Sequence, residues 1–155
     1  MSGQHKRFII FLLFVSISFI FCQPVLSQEL YWVNGSGNWN DPAHWSTTSG
    51  GRGGHAVPTE FDRVHFDEHS FSSSNQYVKI KDRAVCKDLI WHETSYRPVL
   101  KNGFFIFRSW TRADLNVYGS LIIEDDLQNK YHGDIQMKND HAEAVLSVKP
   151  PLHSD

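Results

Sequence analysis

Leu115-Asn116-Val117-Tyr118-Gly119-Ser120-Leu121-Ile122-Ile123 is the stretch that decides the fold. Two apolar runs of strand character meet at one glycine, which suits the corner of a coil better than the two-residue turn of a hairpin. The chain is expected to bend at Gly119 and move on rather than fold back. Similar short runs lie at Arg63 to Phe66, Tyr77 to Ile80, Asp88 to Trp91, Pro98 to Leu100, Phe104 to Phe107, Asp134 to Met137 and Ala144 to Val148. They recur mostly about ten residues apart between Gly, Asn, Asp or Pro turns, a spacing shared by sandwiches, barrels and solenoids. No segment after residue 27 has convincing helical periodicity. The sequence therefore predicts an all-β chain whose residues 60–148 form a short-stranded, parallel β-helix-like solenoid, with a β-sandwich as the alternative.

Residues 1–27 read as a secretory signal. His5, Lys6 and Arg7 give a basic start, Phe8 to Cys22 is apolar apart from Ser16 and Ser18, and Val25-Leu26-Ser27 offers a cleavage site. The run is short for a membrane-spanning helix, which takes roughly 20 residues. Cleavage after Ser27 leaves 128 of the 155 residues, enough for one domain with a core. The leader takes Lys6 and Arg7 with it, so 13 basic side chains face 17 acidic ones, a net charge of −4. That balance argues against nucleic acid or an anionic membrane as partner. Cys22 also leaves, and Cys86, between Val85 and Leu89-Ile90, reads as a small buried hydrophobe.

Behind the leader, residues 28–59 form a Trp/Gly-rich module and loop. Tyr31-Trp32-Val33-Asn34-Gly35-Ser36-Gly37-Asn38-Trp39-Asn40-Asp41-Pro42-Ala43-His44-Trp45-Ser46 describes a tightly turned β segment pinned by aromatics. Asn34-Gly35-Ser36 reads as a turn, and Asp41-Pro42 as a turn starter. Ser46 to Thr59 is a Gly/Ser/Thr connector, and residues 149–155 form a polar, proline-broken tail.

The run at 31–46, followed by Val57-Pro58-Thr59, Asp62-Arg63-Val64-His65-Phe66-Asp67, Ser70-Phe71 and Cys86-Lys87-Asp88-Leu89-Ile90-Trp91, resembles the repeat module of large secreted surface proteins of Bacteroidetes. The likeness covers about residues 31–127. It implies a β-solenoid-like module of adhesin type, exported by a type IX-like route in gliding-associated chains. Those chains are much longer and end in a sorting domain, so the resemblance implies a short or truncated N-terminal copy. It carries over no catalytic residue.

Candidate chemistry is sparse. Trp39 and Trp45, with Asn38 and Asp41, have the rings and polar groups to stack on and hydrogen-bond a sugar; the competing role is that the tryptophans pin the end of the β module. Arg63, His65, Asp67 and His69 fall on one strand face, and His-x-Asp-x-His spacing permits zinc, although no fourth ligand is identifiable nearby. Asp41, Asp62, Asp67, Asp125 and Asp126 are oxygen ligands for calcium, without the alternating pattern of a dedicated loop. Glu124, Asp125 and Asp126 supply paired acids for glycoside chemistry, yet adjacent acids after a strand are also common turn residues. The reading is thus a non-enzymatic, cofactor-free, exported surface module contacting extracellular protein or glycan. It is secreted or held at the cell surface, with the periplasm as the alternative location, and its open last strand invites self-association. The alternatives are a carbohydrate-binding module and a polysaccharide lyase or hydrolase remnant on a β-helix.

Overall fold

The computed structural model describes residues 26–103, 113–124, 127–139 and 143–148. Among the described residues, thirteen short strands and one 3-10 turn make up the regular structure. They are β1 (Glu29–Trp32), β2 (Gly37–Asn38), the turn Pro42–His44, β3 (Trp45–Ser46), β4 (Arg63–Phe66), β5 (Tyr77–Ile80) and β6 (Ala84–Cys86). Then follow β7 (Asp88–Trp91), β8 (Val99–Asn102), β9 (Leu115–Val117), β10 (Leu121–Ile123), β11 (Gln128–Lys130), β12 (Ile135–Met137) and β13 (Leu146–Val148). The chain is all-β, as expected. The run Phe104 to Phe107 lies outside the described residues.

Three sheets result. The first has the order β13-β10-β7-β4-β1-β3, the second β11-β8-β5-β2 and the third β12-β9-β6. From β4 onward, consecutive strands enter the first, second and third sheets in rotation, and each pairs in parallel with the strand three places away. The exception to parallel pairing is β1 with β3, which are antiparallel. Residues 28–59 and 60–148 share these sheets, since β1 pairs with β4 and β2 with β5.

Parallel pairing in register puts like positions side by side, so apolar residues form columns. In the first sheet Leu30, Val64, Leu89, Leu121 and Leu146 pair in series, with Phe66, Trp91, Ile123 and Val148 beside them. In the third, Ala84 with Leu115 and Cys86 with Val117 are all buried. Period-two alternation sends these side chains inward and their neighbours outward. Burying each large aliphatic contributes about 1.5–3 kcal/mol, which is how strands of three or four residues hold together.

The corner at Tyr118-Gly119-Ser120 lies between β9 in the third sheet and β10 in the first. It sits on the preceding corner: Tyr118 N–H donates to Cys86 O, Gly119 N–H to Lys87 O at 2.6 Å, and Ser120 N–H to Asp88 Oδ1 at 2.6 Å. Glycine is required here by closeness, because a Cβ at 119 would stand 2.3 Å from Asp88 Oδ1. The Asp88 carboxylate also accepts from Arg63 Nε at 3.1 Å, so one buried acid ties three successive levels of the structure.

Burial fails at one end. Leu146 is 66% exposed and Val148 55%, while Leu121 and Leu89 in the column of Leu146, and Trp91 in that of Val148, are buried. Among the described residues β13 has one paired edge, and an open apolar edge strand is a template for a second chain. Two outcomes are expected. Gly119→Ala lowers stability by about 1–3 kcal/mol in urea unfolding, as overpacking does. The chain associates with rising concentration in sedimentation, and Leu146→Lys suppresses this; a monomer at every concentration contradicts the second expectation.

Candidate functional site

The Trp module closes the other end of the core. Asn34 and Gly35 take left-handed conformations, φ 64° and 67°, which Asn-Gly accommodates at low cost. Asn34 Nδ2 donates to Ala43 O at 2.8 Å. Asp41 caps the 3-10 turn by accepting from Ala43 N–H at 3.0 Å, as its place before Pro42 suggests. These turns bring Trp32, Trp39 and Trp45 together. Trp45 meets Trp32 edge to face at 5.1 Å and 86°, and Trp39 at 5.1 Å and 70°. Phe66 continues the aromatic cluster to Trp91, whose ring lies stacked at 4.0 Å.

Trp39 is 1% exposed and Trp45 0%. Rings so placed present no face for a sugar to lie on. The indole N–H of Trp32 donates to Gly35 O and that of Trp45 to Trp39 O, whereas Trp39 Nε1 is buried with no acceptor among the described residues. Of the four candidate ligand residues, Asn38 and Asp41 are half-buried and line, with Asn40, Pro42, Lys81 and Asp82, an open cleft of about 270 Å³. The structure thus separates the stacking half of the candidate sugar site from its polar half.

The remaining candidates are dispersed. Strand β4 ends at Phe66, so the alternation that would align His65, Asp67 and His69 stops before the last two. Asp67 Oδ1 accepts from His69 N–H and Ser70 Oγ within its own turn. His69 Nδ1 lies 3.0 Å from Ser49 Oγ. Asp62 accepts from the Gln28 and Thr59 amides and from the Thr59 hydroxyl, clamping β1 to the loop before β4. Among the described residues no three His, Cys, Asp or Glu side chains converge on a metal position. Asp125 and Asp126, proposed for calcium or for acid chemistry, lie outside the described residues. Cys86 is fully buried, and burial pushes its thiol well above the ordinary range, which keeps it protonated.

The outer side of the first sheet carries a row that sequence reading missed. His65 stacks between Tyr31 and His92, with ring centroids 4.7 and 5.6 Å away. Its Nε2 is 2.5 Å from Glu29 Oε2, its Nδ1 is 3.3 Å from His92 Nε2, and His92 Nδ1 is 3.2 Å from Glu124 Oε2. With Arg63 between Glu29 and Asp88, positive and negative groups alternate along this side. Only the parallel register reveals the row, because the side-chain contacts that build it join residues 25 or more apart in sequence.

Comparison with known protein families, characterised proteins and solved structures returns no match. The site is therefore argued from its own geometry. Two results are expected from this geometry. Trp45→Ala costs about 3–5 kcal/mol of stability by opening a cavity, read as a fall in the urea midpoint. Cys86 stays unlabelled by a thiol reagent in the folded chain and reacts on unfolding; rapid labelling under native conditions contradicts its placement.

Proposed function

We propose that this chain is a non-catalytic, exported β-solenoid module of adhesin type, which displays flat, parallel-stranded faces for contact with extracellular glycan or protein. The observation that carries the reading is the rotation of consecutive strands through three sheets, with every third strand returning in parallel register. A chain wound in this way has a side for each sheet and rows of outward residues at the spacing of its strands. The separation of His65, Asp67 and His69 among the described residues gives no support to a zinc site on this strand. The resemblance of residues 31–127 to Bacteroidetes surface repeats points the same way.

Export rests on the leader. The start of the fold is compatible with cleavage after Ser27: β1 begins at Glu29, and the Gln28 amide already donates to Asp62 Oδ1 at 3.0 Å. Cleavage would turn that amide into an α-ammonium facing a buried carboxylate, a charge-assisted bond stronger than the neutral one.

Expression of the full chain in a Gram-negative host tests the reading. The processed protein is expected to begin at Gln28 and to be accessible to protease on intact cells or released to the medium. A cytoplasmic chain that keeps residues 1–27, or turnover of a polysaccharide by the purified protein, overturns it.

A further inference from the structure

The second sheet carries a different row from the first. Lys79 on β5 pairs in register with Lys101 on β8, and Lys101 with Lys130 on β11. Asn38 on β2 stands beside Lys79 at the end of the row, and Asn38 also lines the open cleft. The intervening positions Val78, Ile80 and Leu100 are buried, so the lysines occupy the outer side of the sheet. Three lysines thus follow one another on neighbouring strands, whose backbones lie about 4.8 Å apart. Like charges directly opposite on neighbouring strands are destabilising. On the first sheet such a row is neutralised by alternating acids, but no ion pair involves Lys79, Lys101 or Lys130 among the described residues. The column does have an aromatic support: Lys101 Nζ lies 3.3 Å from the centroid of the Tyr77 ring, and Lys79 Nζ 5.3 Å. The ring gathers two of the cations and holds them in line.

We infer that the Lys79-Lys101-Lys130 column on the outer side of the second sheet is a binding track for an extended acidic polysaccharide, whose carboxylates or sulfates meet successive ammonium groups. Lysine acts as a point charge and asks for no bidentate geometry, which suits a polymer read by its repeating charge rather than by one residue. A uronan carries one carboxylate per sugar, so several ammonium groups of the column can each meet an acid group of the same polymer. A nucleic acid strand is the poorer fit. Single-strand recognition leans on aromatic platforms, and the Tyr77 ring is already covered by an ammonium. The inference rests on the reading of the chain as a display module, and it gives that module a ligand class and a face.

The test uses the processed chain with polygalacturonate, dextran as the neutral polymer, and single-stranded DNA. The chain is expected to retain polygalacturonate in affinity electrophoresis, to ignore dextran, and to lose binding as salt rises. Joint replacement Lys79→Gln, Lys101→Gln and Lys130→Gln is expected to weaken binding roughly tenfold, the size of three screened ion contacts. A charge-matched control, Arg52→Gln with Lys87→Gln and Lys138→Gln, is expected to bind as the parent does. Circular dichroism of both variants keeps a folding defect distinct from a binding one. Equal loss in the control, tighter binding to DNA than to the uronan, or no binding by the folded parent overturns the track. In the last case a chain still exposed on cells leaves the display reading standing, whereas a cytoplasmic or catalytic chain removes that reading instead.

Discussion

In-register parallel pairing is the constraint on which the rest of the structure depends. When every strand lies beside its counterpart without slip, each residue type is multiplied into a column, inside and out. Inside, this turns three-residue strands into continuous apolar ribs such as Leu30, Val64, Leu89 and Leu121. A slip of one residue would send every rib outward, so the burial of the ribs fixes the register. Outside, the same rule makes the mixed-charge row around His65 and the lysine row around Lys101.

Two devices keep the levels aligned. At the corners, the Asp88 carboxylate bonds Arg63 from the level before and the Ser120 amide from the level after. Removing an acid of this kind leaves partners unsatisfied, which costs about 1–3 kcal/mol. The missing side chain at Gly119 is what lets the two corners touch. At the closed end, edge-to-face tryptophans fill the space above Phe66, so the first rib has an apolar lid. The opposite end has no such lid among the described residues, and the burial of Leu146 and Val148 falls away accordingly.

Much of this was legible in sequence. The glycine corner at 119, the strands at 63–66, 77–80 and 88–91, the buried Cys86 and the cap at Asp41 follow from local chemistry, because each is decided by a few neighbouring residues. Strand β6 was not legible, since Ala84-Val85-Cys86 is too short to show a period. Strand β11 was hidden further, as Gln128-Asn129-Lys130 has no apolar residue and is placed by its backbone ladder to β8. The tryptophans could be read as a pin or as a sugar platform, and composition alone could not choose between them. The histidine and lysine rows lay beyond reach for another reason. Their members are scattered at unequal intervals, and a net charge of −2 conceals a local column of one sign.

The central claim is the register itself, and cross-linking across the lysine row tests it most directly. Neighbouring strands place Cα atoms about 4.8 Å apart and next-but-one strands about twice that, while a disulfide needs roughly 4.4–6.8 Å. Paired cysteines at 79 and 101, or at 101 and 130, made as Lys79→Cys with Lys101→Cys and Lys101→Cys with Lys130→Cys, should close readily under mild oxidation. The pair Lys79→Cys with Lys130→Cys should stay open. Closure of that outer pair with failure of the two adjacent pairs would contradict the stacking order and every column built on it.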